Sequence, residues 1–372
     1  MTHRDRARGC LLGLAAGDAL GAPAENLTPE QIRRRWGRLT EIEGGGTDDT
    51  EYAIFAAGLL VAHGHGLTAE LVAAAYRDLV IPAVTGPMRG AGFSELGTVQ
   101  ALRRGLEPPM TGLIHQHGWS DGLAMRAAPY GVFCPGDPVE AARLVTEDGR
   151  VSQSGEGILG GRAVAGAVAA AMAGADPAQV IEAALSVVPA DSWTARNVVR
   201  ARAALTAADP AQALHDAVVA RHYPWTDVAP EAVALALSAC LHGGGDVEAS
   251  VTFAVSLGRD ADTIAAIAGA VAGAGQGESG VPARWAARIG PATGKCLPVV
   301  AGRHVLDVAD ELVTAHDRAR SAGGGEAGPA GSSASAGARR GVAASADGGG
   351  GEVNPAGPMT QAAGNDERVE GL

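Results

Sequence analysis

The amino-acid sequence predicts an all-α fold, a single compact multi-helix domain over residues 1–320. Apolar residues recur at the i, i+3, i+4 and i+7 spacing of an α-helix through most of this range, as in the stripe of Tyr52, Phe55, Ala56 and Leu59. Convincing alternation of apolar and polar residues, the pattern of a half-buried strand, is missing. Hydrophobic residues are 47% of the chain and aromatic residues only 3%, so we expect small side chains between closely packed helices.

Gly, Pro and Asp residues interrupt the periodic segments and set the ends of the predicted helices. We expect helices over residues 5–20, 49–64, 68–79, 94–105, 155–174, 177–188, 193–206, 210–221, 230–241, 246–257, 262–274 and 305–318. The segments 161–173 and 264–274 are apolar on nearly every face, so they are expected at the centre of the domain. No fixed repeat period is present, which argues against a solenoid.

The composition changes abruptly at Ser321. From there to Leu372 the chain is rich in Gly, Ala and Ser and has no aromatic residue. Such a segment cannot bury enough apolar surface to offset the entropy lost on ordering. The sequence therefore predicts a disordered tail over residues 321–372.

Charge and composition argue against several classes of partner. The formal net charge is −12 and Lys295 is the single lysine, so no basic stripe is available to follow a nucleic-acid backbone. Arg4, Arg6 and Arg8 followed by GCLLGLAAG imitate a signal peptide, but Asp18 interrupts the apolar run, and no other run reaches the roughly 20 residues of a membrane span. The four cysteines form no CxxC pair. We expect a cytoplasmic protein with neither nucleic acid nor membrane as a partner.

Two glycine-rich stretches resemble nucleotide-binding motifs. GQGESG at 275–280 matches GxGxxG, but a predicted helix precedes it where the dinucleotide motif needs a strand. GPATGKC at 290–296 is one residue too short between its glycines for a phosphate-binding P-loop, and it ends in Cys instead of Ser or Thr. We interpret the second stretch as an ordinary turn.

The stretch GGGTDDTEYA at 44–53 crowds two carboxylates and two hydroxyls against the start of a helix. Helix capping accounts for this pattern on its own. Thr47 or Asp48 is a suitable N-cap, and Glu51 follows Asp48 by three residues, as in a capping box. Aspartates near a helix N-terminus also interact favourably with the helix dipole.

A second helix start repeats the pattern in GRDADTIAAIAG at 258–269. A helix cap needs one or two side-chain oxygens, and the two helix starts together offer more than that. All of these candidate ligands are oxygens, and no His or Cys is among them. These ligands suit Mg²⁺ or Mn²⁺. If the two starts converge, their carboxylates repel one another unless a cation lies between them. The candidate ligands are Thr47, Asp48, Asp49, Asp260, Asp262 and Thr263.

The chain resembles the ADP-ribosylglycohydrolases related to the dinitrogenase-reductase-activating glycohydrolase. The resemblance covers most of residues 5–315. It rests on GCLLGLAAGDALGAPAE at 9–25, TDDT at 47–50, DGLAMRAAPYG at 121–131 and GRDADTIAAIAGAVAGAGQG at 258–277. It implies an all-α fold with a dinuclear metal cleft, in which two Mg²⁺ (or Mn²⁺) ions lie at the base of an ADP-ribose site.

The resemblance also implies roles for individual residues. The six oxygen-bearing residues at the two helix starts become the metal ligands, and Glu25 and Asp49 become catalytic residues. Glu25 would act as a general base on the attacking water or as a carboxylate that steers the oxocarbenium-like transition state, and the sequence leaves both roles open. Asp18 is expected to fix the end of its own helix and the Gly21 turn by hydrogen bonding rather than to take part in the chemistry.

A third motif approaches the distal ribose and diphosphate in the resembling family, and here this chain departs from the common pattern. The family commonly has Asn where this chain has Asp121, and a His where this chain has Gln153. These departures predict an altered substrate or leaving group. We assign substrate binding to Asp121, Gly122, Met125, Arg126 and Trp119, with Trp119 stacking on a purine. We assign His115 and His117, nearby in the same segment, to a solvated or gating loop rather than to a metal site.

The leading hypothesis is a Mg²⁺- or Mn²⁺-dependent glycohydrolase that cleaves the C1″ N- or O-glycosidic bond of ADP-ribosyl, or related ribosyl, adducts. Its partner would be an ADP-ribosylated protein or a small ADP-ribosyl compound, and we expect a monomer. One alternative is a hydrolase of a free nucleoside-like or O-acyl-ADP-ribose substrate. Another is a non-catalytic member of the family that binds ADP-ribose or metal.

Overall fold

The computed structural model describes residues 1–84, 92–221, 223 and 225–323. These residues form helices joined by turns, and the sole β-type pairing among them is an antiparallel bridge between Ser120 and Val228. The helices are α1 (His3–Gly21), α2 (Pro29–Trp36), α3 (Asp48–His63), α4 (Ala69–Ala75), α5 (Ile81–Ala83), α6 (Phe93–Arg103), α7 (Met110–Leu113), α8 (Gly122–Met125), α9 (Ala128–Phe133), α10 (Pro138–Ser152), α11 (Gly155–Met172), α12 (Pro177–Ser186), α13 (Trp193–Ala204), α14 (Pro210–Val218), α15 (Ala229–His242), α16 (Val247–Ser256), α17 (Ala261–Gln276), α18 (Ala283–Ala286) and α19 (Val305–Gly323).

The all-α prediction is confirmed, and each predicted helix is present with its ends shifted by a few residues. The predicted helix over 68–79 is longer than expected, since a π-helical turn at Tyr76–Val80 joins α4 to α5. The segment GQGESG at 275–280 begins at the end of α17 and not after a strand, so the dinucleotide motif is excluded as the sequence predicted.

Two substantial helices were missed although their start signals are in the sequence. In α2, Thr28 and Gln31 form a capping box and Pro29 occupies the first turn. In α10, the Asp137 side chain accepts a hydrogen bond from the Glu140 backbone, again with Pro in the first turn. Both helices are rich in charged residues and less apolar overall than α11 or α17, so their caps are the better indicator.

Helices α1 and α17 form the centre of the domain, where they pack antiparallel with almost no side chain between them. A β-carbon on Gly13 would lie 2.2 Å from the carbonyl oxygen of Gly269, and one on Gly17 would lie 2.1 Å from that of Ala265. Gly9 and Gly21 meet α17 in the same way near the two ends of the contact. We call this set Gly9, Gly13, Gly17 and Gly21 the glycine ladder. It brings the C-terminal end of α1 directly against the N-terminal end of α17.

The remaining helices enclose this pair. Helix α17 also packs against α11, α15 and α16, and α1 also packs against α19. Every residue of 261–274 is buried, as is every residue of 163–172, which confirms the predicted central position of both segments. The core is made mostly of Ala, Val and Leu, as the composition indicates.

Helix α19 continues through Gly323, three residues beyond the predicted domain boundary at residue 320. The remainder of the predicted tail lies outside the described residues. Among the described helices, none combines the length and the apolar character needed to cross a membrane.

Candidate active site

A cavity of about 570 Å³ opens where the C-terminal end of α1 and the N-terminal ends of α3 and α17 converge. Among the described residues that line it, carboxylates greatly outnumber basic groups, and Lys295 is the sole basic side chain. The lining carboxylates are Glu25, Asp48, Asp49, Glu51, Glu95, Asp121, Asp227, Asp260 and Asp262. The two helix starts that the sequence singled out therefore do converge.

The first helix start is held in place by a buried carboxylate from α1. Asp18 accepts hydrogen bonds from the backbone of Thr47, at 2.9 Å to each carboxylate oxygen, and from the backbone of Thr50 at 3.1 Å. It also accepts a hydrogen bond from the Thr50 hydroxyl. Thr47 is the N-cap of α3, and its side chain accepts a hydrogen bond from the Asp49 backbone. Asp18 is thus a hydrogen-bonding partner, as the sequence predicted, but its carboxylate fixes the start of α3 rather than the end of its own helix and the Gly21 turn.

Glu51 does not close a capping box, so that part of the sequence prediction is wrong. Its buried carboxylate instead accepts hydrogen bonds from three consecutive backbone N–H groups, those of Lys295, Cys296 and Leu297, at 2.7 to 3.0 Å. The Thr293 hydroxyl donates a further hydrogen bond at 3.1 Å. The segment GPATGKC at 290–296 is therefore more than an ordinary turn, because its end forms an anion-binding loop occupied by an internal carboxylate.

At the second helix start, capping does not account for the carboxylates. Asp260 occupies the N-cap position of α17, yet its side chain makes no capping hydrogen bond. Thr263 donates a hydrogen bond of 3.1 Å to Asp49, which joins the two helix starts directly. Asp260 and Asp262 are thus available for another role.

The loop that carries Glu25 is tied to the second helix start by Arg259. Asn26 and Arg259 exchange backbone hydrogen bonds across this junction: the Asn26 N–H donates to Arg259 at 2.8 Å, and the Arg259 N–H donates to Leu27 at 3.1 Å. Arg259 adopts a φ of 64°, and its guanidinium pairs with the buried Glu231. Glu25 follows the short 3₁₀ turn at Ala22–Ala24, and its carboxylate accepts a hydrogen bond from the Asn26 amide at 3.0 Å. These contacts bring Glu25 to the cavity beside Asp260.

Burial raises the pKa values of the cavity aspartates, and the repulsion between neighbouring carboxylates adds to the effect. The pKa values of Asp48, Asp49, Asp121 and Asp262 all lie well above the ordinary aspartate range for these reasons. Burial raises the pKa of Asp260 to about 6, and hydrogen bonds from neighbouring side chains partly oppose the shift. Burial also raises the pKa of Glu25, with a further contribution from Asp227.

Several of these carboxylates keep buried oxygens without a hydrogen-bond partner, namely Oδ2 of Asp49, Oδ2 of Asp121 and Oδ1 of Asp262. Unpartnered buried oxygens are costly, and several in one cavity indicate a missing donor or cation. An all-oxygen, mainly anionic set of this kind matches the preference of a hard divalent cation. The residues present therefore fit Mg²⁺ or Mn²⁺.

Three of the five residues predicted to bind substrate line the cavity: Asp121, Gly122 and Met125. Asp121 is 3% exposed and is held at the start of α8 by a backbone hydrogen bond to Asp227 of 2.9 Å. Gln153, the other departure from the family pattern, is buried behind the cavity, where its amide donates to the Ser120 hydroxyl at 3.3 Å.

Arg126 does not line the cavity, so its predicted contact with substrate is not supported by its position. Its guanidinium is fully buried and pairs with Glu95 at 2.8 Å and with Asp148 at 2.9 Å. It also donates to the Ser152 hydroxyl and to the Gly122 carbonyl oxygen. Arg126 therefore forms a buried ion-pair network that supports the wall of the cavity, and Asp148 and Ser152 of the missed helix α10 are two of its four partners.

Trp119 also lies away from the cavity lining, packed edge-on against Trp193. The aromatic rings at the cavity are Phe93 and Trp225. His117 links them, stacked on Phe93 with 4.8 Å between ring centroids and edge-on to Trp225 at 5.7 Å. Sequence reasoning missed both rings because each lies in a segment without a recognisable motif. The feature of the sequence that could have identified them is the rarity of aromatic residues, which make up 3% of the chain.

The fold and the cavity together define an all-α protein whose ligand site is built from carboxylates at helix ends. The family model described as ADP-ribosylglycohydrolase matches residues 1–322. The chain belongs to this family, whose members are hydrolases that act on glycosidic bonds. The resemblance inferred from the sequence motifs is thereby confirmed.

Individual relatives agree with this assignment. An uncharacterised protein of Archaeoglobus fulgidus is 29% identical over 291 residues, which cover 76% of this chain and 90% of that protein. The ADP-ribosyl-[dinitrogen reductase] glycohydrolase of Rhodospirillum rubrum is 28% identical over 160 residues, which cover 40% of this chain and 52% of that enzyme. A solved structure titled ADP-ribosylglycohydrolase-related protein complex superposes with a TM-score of 0.59 at 25% identity and covers 85% of this chain and 98% of its own.

Proposed function

We propose that the protein is a Mg²⁺- or Mn²⁺-dependent glycohydrolase that cleaves the C1″ N- or O-glycosidic bond of ADP-ribosyl, or related ribosyl, adducts on protein side chains or small molecules. The observation that carries this proposal is the junction of the two helix starts, where Thr263 contacts Asp49 and buried oxygens of Asp49 and Asp262 lack partners. The name of the Rhodospirillum rubrum relative supports ADP-ribosylated protein as the substrate class.

The metal ions would be held by the oxygens of Thr47, Asp48, Asp49, Asp260, Asp262 and Thr263. When bound, two divalent cations orient the ribose hydroxyls and lower the pKa of a nearby water. The protein contributes the rigidity of the ligand set, because Asp18 fixes one helix start and Arg259 fixes the other. Preorganised ligands avoid the cost of collecting four carboxylates during binding.

Glu25 is the best-placed proton acceptor outside this ligand set. It lines the cavity, and its raised pKa makes the carboxylate a stronger base than an exposed glutamate. Glu25 would take the proton from the water that attacks C1″, while Asp49 holds the reacting ribose beside it. A carboxylate at this position also stabilises positive charge on the sugar as the glycosidic bond breaks.

The base end of the ligand would meet the aromatic rings at the cavity. Phe93 is 53% exposed and Trp225 is 38% exposed, so each presents a face to a ligand ring. Stacking on such rings binds a purine without hydrogen-bond selectivity. The aromatic pair therefore supports a ligand that carries a nucleobase as well as a ribose.

The Asp121 carboxylate favours an altered substrate. Its carboxylate is buried, lines the cavity and has an unpartnered oxygen, so it accepts a hydrogen bond from a ligand hydroxyl or amine more readily than it tolerates a phosphate. This observation keeps the O-acyl-ADP-ribose and nucleoside-like substrates as the second candidate function.

The proposal is tested by the release of ADP-ribose from arginine-linked, serine-linked and O-acetyl-linked substrates, with Mg²⁺, with Mn²⁺ and with EDTA. We expect metal-dependent release from at least one linkage and loss of at least 100-fold in Glu25→Gln and Asp262→Asn, the scale of removed catalytic groups. Asp246→Asn is the matched control, because Asp246 caps α16 outside the cavity. Release that survives EDTA or the Asp262→Asn substitution contradicts the metal-dependent mechanism.

A further inference from the structure

Lys295 has an unusual place in this chain. It is the single lysine among 29 basic residues, and it is the basic side chain that lines the cavity within the described part of the chain. The other cavity walls are dominated by carboxylates. A cation in such surroundings would ordinarily form ion pairs with them.

The backbone around Lys295 is fixed to the same helix start that carries the proposed metal ligands. Glu51, in the first turn of α3 and two residues after Asp49, accepts the N–H groups of Lys295, Cys296 and Leu297. Gly294, just before them, has a φ of +69°, and a β-carbon there would lie 2.6 Å from the Ala301 β-carbon. The fold therefore sets the position of the Lys295 backbone relative to the carboxylates that line the cavity.

The side chain of Lys295 is free although its backbone is fixed. Lys295 is exposed, and it takes part in none of the ion pairs formed by described residues. The anion that the loop does bind, the Glu51 carboxylate, is already satisfied by the backbone N–H groups and the Thr293 hydroxyl. The ammonium group is thus left to interact with something outside the protein.

An ammonium group on a flexible stem suits a tetrahedral anion, since it can donate in three directions and acts as a compact charge. The acidic walls of the cavity repel a phosphate elsewhere in the site. We propose that Lys295 binds the phosphate groups of the ligand, and that Glu51 is the positioning residue that holds the Lys295 loop at the cavity. This inference rests on the proposed function, since it identifies where the anionic part of an ADP-ribosyl substrate is held.

The test compares three probes in the presence of saturating Mg²⁺: ADP-ribose, ADP and adenosine, which shares the base and ribose but lacks phosphate. Affinities are measured by calorimetry for wild type, Lys295→Met and Lys295→Arg. Arg303→Met is the matched control, because Arg303 is a nearby exposed cation that pairs with Glu311 and does not line the cavity. We expect Lys295→Met to lower the affinity for ADP-ribose and for ADP by about tenfold, the loss expected for one charge-assisted contact. The affinity for adenosine should be unchanged. Lys295→Arg should keep most of the affinity, and Arg303→Met should resemble wild type.

The inference is overturned if Lys295→Met binds ADP-ribose and ADP as tightly as wild type does. It is also overturned if the affinity for adenosine falls by the same factor, or if wild type binds neither phosphate-bearing probe. The release assay separates this result from the proposed function. Release of ADP-ribose without any dependence on Lys295 leaves the function standing and removes the inference. Lysine-dependent binding of ADP without release from any linkage keeps the inference and contradicts the function.

Discussion

Thr263 donates a hydrogen bond of 3.1 Å to Asp49, a residue 214 positions earlier in the chain. This contact joins the two helix starts, so Thr263 and Asp49 report on whether both belong to one metal centre. We expect Thr263→Val to weaken Mg²⁺ binding by about tenfold or more, because groups that orient metal ligands contribute on this scale. Thr263→Ser keeps the hydroxyl and should bind nearly as wild type in a calorimetric titration. Equal Mg²⁺ affinity in wild type and Thr263→Val would show that the two starts act separately.

Arg126 is predicted to matter for stability rather than for ligand contact. Removing its guanidinium leaves Glu95 and Asp148 buried without their cation, so Arg126→Met should lower the free energy of unfolding by about 3–5 kcal/mol, as for other broken buried ion pairs. Urea unfolding monitored by circular dichroism measures this change. Arg143→Met is a suitable control, since Arg143 pairs with Glu140 at the surface. A variant with wild-type stability that no longer binds ligand would restore the substrate role for Arg126.

The sequence and the structure assign the stacking of the ligand base to different tryptophans, Trp119 and Trp225. Trp225 lines the cavity, whereas Trp119 packs against Trp193 outside it. Trp225→Ala should weaken adenosine and ADP-ribose binding by about 1–3 kcal/mol, the range for one base stacked on an aromatic ring. Trp119→Ala should leave both affinities unchanged in the same calorimetric assay. The reverse outcome would return the base-stacking role to Trp119.

The stability of the metal-free protein should fall as the pH rises. Burial raises the pKa of Asp260 to about 6 from an ordinary value of 3.8, so folding favours the protonated acid. The associated stability is fully present below the ordinary value and is lost as the pH passes through about 6, and the more strongly raised carboxylates extend this loss to higher pH. In EDTA, the melting temperature should therefore decrease as the pH rises from about 4 to about 6 and decrease further above it, and saturating Mg²⁺ should reduce the decrease because it stabilises the ionised carboxylates.

The control for this pH dependence is Asp260→Asn, which removes one of the titrating groups and should flatten the curve in EDTA. A melting temperature that rises over the same pH range in EDTA would mean that the cavity carboxylates are ionised at little cost in the folded protein. That outcome would also weaken the argument that their unpartnered oxygens call for a cation.

The sequence was sufficient to predict most of the longer helices, though not α2 and α10, and the two carboxylate-rich helix starts. Both are encoded locally, by apolar periodicity and by clusters such as Thr47-Asp48-Asp49. The hydrogen-bonding role of Asp18 could also be predicted, because a buried aspartate needs hydrogen-bond donors nearby, but its partners in α3 could not.

The assignments that were wrong depended on contacts between distant segments. Glu51 matched a capping box by spacing, but it binds a loop about 245 residues further along the chain. Arg126 looked like a ligand contact because it is part of the motif at 121–131, yet its charged partners lie in α6 and α10. Local patterns identify what a side chain can do, and the tertiary fold selects which of these interactions is made.

The glycine ladder has a consequence for how the family can vary in length. Glu25 follows α1 and Asp260 begins α17, and the two helices touch through their backbones, so no side chain can absorb a change in their alignment. One inserted residue between Gly9 and Gly21 would advance the helix by about 1.5 Å and turn it by about 100°, directing β-carbons into α17. Insertions and deletions should therefore be excluded from α1 and from α17 along their whole contact, while the loops around the cavity can change length and with it the choice of ligand.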